Sequence, residues 1–214
     1  MNMNIKHLID QADLAGIGAA LKANPGLANE GLPFDNQNTT KAHPLHRICD
    51  GVFSGTYTDE EAVHIAQLFL SHGADVNGFG VSAGQDSPLV AASSLHADEV
   101  AMLYIRNGAV INHQGTHGGT ALHWASWCGR PVVVKTLLSA GSEVNQLCID
   151  FKATPLFWAV RGSKFGDPAR LSDYGACIKL LLAHGADKTI PNKDGETVSD
   201  MLTEHDTLVR ELLQ

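Results

Sequence analysis

LFLSHGADVN (68–77), LYIRNGAVIN (103–112), LLSAGSEVN (137–145) and LLLAHGADKT (180–189) are four versions of one phrase. An apolar run leads to a Gly, and a short stretch follows that ends in Asn or Thr. The glycines are Gly73, Gly108, Gly141 and Gly185, spaced by 35, 33 and 44 residues. A second phrase precedes each one: HPLH (43–46), SPLV (87–90), TALH (120–123) and TPLF (154–157). Two phrases locked in phase at a period near 33 define a repeat array, in which each unit buries its apolar side only against its neighbours.

The stretch 115–147 is the most regular and gives the chemistry of a unit. Thr120 suits a helix N-cap, and Ala121, Leu122, Ala125 and Cys128 recur at helical spacing. Gly129 ends that helix, because Gly enters the left-handed conformation without a Cβ clash. Pro131 fits the first turn of a second helix, where its missing N–H is harmless. Val133, Val134, Leu137 and Leu138 supply the buried stripe of that helix, and Gly141 stops it. A unit is therefore helix, turn, helix and a projecting finger.

Composition narrows the function classes. The 214 residues are 44% hydrophobic, ordinary for a folded chain. With 15 Lys and Arg against 23 Asp and Glu, the formal charge is −8. That disfavours nucleic acid and anionic membranes as partners. Cys49, Cys128, Cys148 and Cys177 form no CxxC pair, so neither a zinc site nor a disulfide framework is signalled. A reducing compartment, the cytoplasm, is the simpler expectation. No window has the length of a membrane-spanning helix, and Asp10 and Asp13 interrupt the apolar N-terminal stretch that would otherwise read as a signal peptide.

The units resemble the ankyrin repeat family, whose pattern is close to G-x-T-P-L-H-x-A-A-x-x-G followed by L-L-x-x-G-A-D-V-N. Gly118, Thr120, Leu122, His123, Ala125, Gly129, Leu137, Leu138, Gly141, Val144 and Asn145 carry the resemblance in one repeat. Pro44, Leu45, His46, Pro88, Leu89, Ala91, Thr154, Pro155, Leu156 and Ala159 extend it along the chain. The resemblance implies an all-α solenoid with β-hairpin-like fingers and a concave face. Six units are expected: a capping repeat (1–31), repeats two to five (32–77, 78–112, 113–145, 146–189) and a C-terminal cap (190–214). Leu14, Ile17 and Leu21 should share one face of the first unit, and Leu208, Val209 and Leu212 one face of the last helix.

Three departures from the rule stand out. The distance from the end of the HPLH-type phrase to the Gly that follows is 18 residues in repeats three and four, but 27 in repeat two and 28 in repeat five. The extra residues fall in DGVFSGTYTDEE (50–61) and RGSKFGDPARLSDYG (161–175), between the paired helices. Each holds a Phe and a Tyr: Phe53 with Tyr57, and Phe165 with Tyr174. Sharing one slot, the two insertions should project from one edge, either as binding loops or folded back with their aromatics over neighbouring helices. The third departure, EGLPFDNQNTTKAH (30–43), is long for a compact domain; loops of that length tend to be functional or mobile, and the alternative, favoured here, is a longer finger that shields the irregular first repeat.

Eleven histidines raise the question of a metal. His113 and His117 have i, i+4 spacing, with His123 and Cys128 nearby, but that spacing aligns ligands only on a helix, and the pair sits in a finger. His72 and His184 precede helix-ending glycines, where a cation complements the helix dipole. His46 and His123 occupy the family's structural His slot. DEE (59–61) fits the start of a second helix. No nucleophile–base pair, catalytic carboxylate pair or phosphate loop is present as a motif, so neither enzyme activity, cofactor nor metal is expected.

The resemblance implies binding of a protein partner by the finger tips and by the residues before the Gly that ends each first helix. By register these are Thr116, His117 and Gly119 with Trp127 and Cys128, then Ser94 and Leu95, then Asp150 and Phe151 with Arg161, and Asp50. Trp127 and Phe151 are the expected apolar anchors. Asp50, Asp150 and Arg161 would set charge complementarity. Trp124 and Trp158 share the slot after the structural His, where the family often packs a Trp, and read as scaffold. The expected function is that of a monomeric, non-catalytic adaptor, inhibitor or effector. The alternative is an enzyme or small-ligand binder with a pocket between the two insertions.

Overall fold

A computed structural model describes residues 4–33 and 41–214. It comprises two compact units, Met1–Ser82 with Ser87–Val110, and Ala83–Asp86 with Ile111–Gln214.

The first unit holds three helix pairs: α1 (Ile5–Asp10) with α2 (Leu14–Ala23), α3 (Pro44–Phe53) with α4 (Asp59–Ser71), and α5 (Pro88–Ser94) with α6 (Asp98–Arg106). Leu21, Leu45, Ile48, Ile65, Phe69, Leu89 and Tyr104 are fully buried in it. The Tyr104 hydroxyl donates to the Leu45 carbonyl at 2.8 Å, so the one polar atom on that core ring is satisfied. Ile17 and Leu21 are buried as expected, but Leu14, at the first turn of α2, is 41% exposed.

The second unit holds α7 (Ala121–Trp127) with α8 (Pro131–Ser139), α9 (Pro155–Phe165) with α10 (Leu171–Ala183), and a closing helix α11 (Thr207–Leu212). The first helices α7 and α9 lie side by side, with Leu122 and Leu156 buried, and α8 packs against α10, with Val134, Leu137, Ile178 and Leu181 buried.

The repeated phrase is explained by two sets of hydrogen bonds. Gly73, Gly108, Gly141 and Gly185 all have φ between +83° and +90°. In each case the following N–H reaches back to a carbonyl of the last turn: Ala74 to Phe69, Ala109 to Tyr104, Ser142 to Leu137 and Ala186 to Leu181, at 3.0–3.1 Å. This is the left-handed helix stop that only Gly makes without strain. The Asn that ends the first three phrases, and Asn29 before them, then ties its repeat to the next. Asn145 donates to the Gly185 carbonyl at 3.0 Å and accepts from Asp187 N at 2.8 Å. Asn29 makes the same pair with Gly73 and Asp75. Asn77 accepts from Val110 N, and Asn112 from Glu143 N.

First helices start on side-chain caps. Ser87 and Thr154 accept from Val90 and Phe157 N–H. At Thr120 the cap is reciprocal, because buried His123 Nδ1 accepts from Thr120 N at 3.1 Å and Nε2 donates to the Ala153 carbonyl at 3.2 Å. His43 takes the role in repeat two, with Nδ1 accepting from Leu45 N and Nε2 donating to Asn29. Burial holds both imidazoles neutral, with pKa values lowered to about 4. His72 and His184 each donate from Nδ1 to the carbonyl four residues back, at 2.8 Å, so they close the last turn of a second helix by a hydrogen bond.

The insertions do not stand out as loops. They lengthen helices: α3 has 10 residues and α9 has 11, where α5 and α7 have 7. The second helices α4 and α10 have 13, against 9 in α6 and α8. Each helix gains about one turn. Thr58 and Glu61 form a full capping box at the start of α4, and Asp59, Glu60 and Glu61 fill its first turn. The two tyrosines are buried, Tyr57 at 6% exposed and Tyr174 at 3%, while Phe53 and Phe165 are 63% and 65% exposed. The tyrosine contact candidates are thus internal packing. Tyr57 lies on Gly51 and donates to the Ile48 carbonyl, and Tyr174 lies against Gly129, Gly162 and Gly166.

Within the long 30–43 segment, β1 (Leu32–Pro33) and β2 (Lys41–Ala42) pair antiparallel, with Leu32 opposite Ala42. Residues 34–40 lie outside the described residues. The other fingers are tight turns. Gly115 N bonds Gly119 O around a short 3₁₀ turn (Thr116–Gly118), Cys148 N bonds Ala153 O, and Asn192 N bonds Glu196 O.

Candidate functional site

In the second unit successive fingers hydrogen-bond edge to edge. Ile149 and Asp150 donate N–H to the His117 carbonyl at 3.1 and 3.2 Å, and Lys193 N donates to the Phe151 carbonyl at 2.8 Å. His117 and Lys152 both have positive φ, 59° and 50°, uncommon for residues with a Cβ. A Cβ on Gly118 would run into Ile149, so the approach of the two fingers requires Gly there. These bonds line up three side chains. The His117 and Phe151 rings are 5.5 Å apart, and the Lys193 ammonium sits 5.5 Å from the Phe151 centroid.

Behind the fingers stand the ends of α7 and α9. Trp158 is 7% exposed and is the centre of an aromatic cluster. Trp124 meets it at 5.1 Å and 82°, Trp127 at 6.3 Å and 77°, and Phe151 at 6.4 Å and 63°. All are edge-to-face arrangements, the geometry favoured by the ring quadrupoles. Buried His123 supports Trp158 from within at 5.3 Å. Fingers and helix ends together enclose an open recess of about 450 Å³, lined by His117, Trp124, Trp127, Phe151, Phe157 and Trp158, with Ala153, Arg161, Asn192, Lys193, Asp194 and Glu196 completing it. Its size falls in the range of about 300–1,000 Å³ typical of ligand sites.

Of the residues expected to bind a partner, Trp127, Phe151, His117 and Arg161 line this recess, and Asp150 and Thr116 stand beside it. Trp127 is half-buried, so it both packs on Trp158 and faces the recess. His117 Nδ1 donates to the Asp150 carboxylate at 2.8 Å, and both side chains are about half exposed. Thr116 is held by Asp86, which accepts from its N–H at 2.7 Å and its hydroxyl at 3.1 Å. Arg161 stacks its guanidinium 5.1 Å from the Phe165 ring. Cys128 is a half-buried helix C-cap that does not line the recess.

Asp50, Ser94 and Leu95 belong to the first unit. Asp50 is not a free surface charge: it is largely buried between His46 at 3.9 Å and Arg47 at 3.8 Å, and that burial raises its pKa. Arg47 in turn holds Asp10 at 2.9 Å. The Ser94 hydroxyl donates to the Ala91 carbonyl, and Leu95 is a half-buried helix C-cap. The residues that sequence reasoning assigned to scaffold, Trp124 and Trp158, are central to the recess. The available signal was their shared repeat slot, which sets two indoles side by side on α7 and α9. Among the described residues no group of His, Cys, Asp or Glu is arranged to hold a metal, and the His113–His117 spacing is taken up by finger contacts, His113 donating to the Gln85 carbonyl. No helix among them is long and apolar enough to cross a membrane.

Residues 56–148 match the family model for ankyrin repeats (3 copies). The chain is similar to mouse palmitoyltransferase ZDHHC13, with 29% identity over 146 residues, 58% of this chain and 22% of the relative. Human palmitoyltransferase ZDHHC13 shares 38% over 74 residues, 35% and 10% of the two chains. Drosophila melanogaster palmitoyltransferase Hip14 shares 30% over 91 residues, 42% and 13%. The chain spans no more than 22% of the length of these three relatives, and the likeness covers only the repeats. Helix pairs ended by the same Gly and tied by the same Asn, with the family model matched over 56–148, show an all-α fold built of ankyrin repeats.

Proposed function

We propose that the chain is a non-catalytic recognition module, an adaptor, inhibitor or effector, that binds a protein partner with the fingers and first-helix ends of its second unit. The observation that carries this reading is the aromatic recess itself. Trp127 and Phe151 face an open space on a backbone-bonded platform, and large aromatic side chains in such settings dominate binding energies. Because fingers and helices are already tied together, binding orders few additional side chains. Asp150, His117 and Thr116 provide a polar rim beside the anchors, and Arg161 a positive one. Action as a monomer in the reducing cytoplasm belongs to the same reading, since the four cysteines have no CxxC spacing that would signal a disulfide framework. An enzyme or small-ligand pocket built by the insertions gains no support from Tyr57 and Tyr174, which are packed inside.

The test compares partners captured by the wild type, by a Trp127→Ala/Phe151→Ala double variant, and by a Phe53→Ala/Phe165→Ala double variant. The first pair should lose the specific partners and the second should keep them. Retention by the first and loss by the second would move recognition to the lengthened helix ends.

A further inference from the structure

We propose that the recess of the second unit receives a methylated ammonium side chain of the protein partner, gripped by cation–π contact with Trp127, Trp158 and Phe151. The inference rests on the recognition role proposed above and names the group that the recess takes. Three observations carry it. The Phe151 and Trp127 rings stand at 63° and 77° to the central Trp158 plane, so the recess presents aromatic surface in more than one direction, as a box does for a compact cation. The chain already places a cation on one wall, the Lys193 ammonium 5.5 Å from the Phe151 centroid. Asp194 and Glu196 bring two carboxylates to the lining of a chain whose formal charge is −8.

Methylation suits this environment. A bare ammonium must give up strong hydration to enter an aromatic recess, whereas a methylated one keeps its charge, sheds less water and presents apolar surface to the rings. The source is a partner's side chain because the recess is open, and the exposed residues Thr116 and Asp150, next in the chain to its lining residues His117 and Phe151, are ones a protein segment would also cover. Lys193 is then a resident competitor that the incoming cation displaces from Phe151.

Three probes separate charge from shape: acetyl-trimethyl-lysine amide, acetyl-lysine amide, and a neutral analogue in which carbon replaces the quaternary nitrogen. Binding to the full chain is read by tryptophan fluorescence. The trimethyl compound should bind roughly two- to thirtyfold more tightly than the neutral one, the range that cation–π contacts supply, and more tightly than unmodified lysine. Lys193→Ala should strengthen binding a few-fold. Phe151→Leu, a change at an exposed position that keeps bulk but removes the ring, should weaken it. Equal binding of charged and neutral probes, or no binding of the trimethyl compound at millimolar concentration, would overturn the proposal. Tighter binding of free choline than of the trimethyl-lysine probe would overturn the assignment to a side chain in favour of a small molecule. If the probes fail while Trp127→Ala/Phe151→Ala still loses the protein partner, only the cation assignment falls. If partner capture is also unaffected, the recognition surface itself is wrong.

Discussion

Gly162 lies inside helix α9, where replacing Gly by Ala ordinarily stabilises by about 0.5–1 kcal/mol. Its surroundings reverse that sign. A Cβ at Gly162 would run into the Trp127 carbonyl oxygen, and would lie 2.9 Å from the Tyr174 ring and 3.2 Å from the Trp127 carbonyl carbon. The oxygen and carbon belong to the backbone of α7, so no side-chain rotation relieves the clash and the two first helices must separate. Overpacking of this kind costs about 1–3 kcal/mol. Against the propensity gain, the net effect of Gly162→Ala is a loss of about 1–2 kcal/mol. For a chain of this size that is a fall in melting temperature of about 2–8 °C. The matched control is Gly18→Ala in α2, where nothing lies within 4 Å of the added carbon; it should stabilise by about 0.5–1 kcal/mol. Thermal melts followed by circular dichroism and by tryptophan emission measure both. Gly162→Ala should also shift the emission, because Trp127 and Trp158 move apart. A Gly162→Ala variant that gains stability as Gly18→Ala does, with unchanged emission, would refute the argument that this glycine is there for close packing.

Asn145→Ala removes two inter-repeat hydrogen bonds, to Gly185 O and from Asp187 N, and should lower stability by about 1–2 kcal/mol in urea denaturation. Stability should also depend on pH through the two buried imidazoles. His43 and His123 have folded pKa values lowered from 6.5 to about 4, chiefly by burial, so the unfolded chain binds protons first as pH falls. Their contribution is fully present above about pH 6.5 and is lost between there and pH 4, on the order of 3 kcal/mol at His123. Urea midpoints between pH 7.5 and 4.5 should fall accordingly, and His123→Asn should flatten that dependence.

Helix pairs, stops and caps were legible in the sequence because each depends on local chemistry. Thr120, Thr154 and Ser87 cap the helices they precede, and Gly73, Gly108, Gly141 and Gly185 end theirs. The insertions were not, because Gly51 and Gly162 look like helix breakers. Both are in helices, where the missing side chain admits the Tyr57 ring to Gly51, and the α7 backbone and Tyr174 to Gly162. Local propensity cannot report a contact made by a distant residue. The candidate site divides along the same line. Trp127, Phe151, His117 and Arg161 followed from repeat register, whereas the part played by Trp124 and Trp158 depends on how α7 packs on α9. Asp50 failed as a free charge because Arg47 and His46, one turn away on α3, surround it.

The central claim is that the fingers and first-helix ends of the second unit form the recognition surface. Backbone hydrogen exchange of the wild-type chain, with and without a captured partner, tests it most directly. Slowed exchange on binding should concentrate in 115–119, 148–153 and 191–196, the three fingers that frame Trp127 and Phe151. Slowed exchange confined to 52–58 and 163–172, with those fingers unchanged, would contradict it.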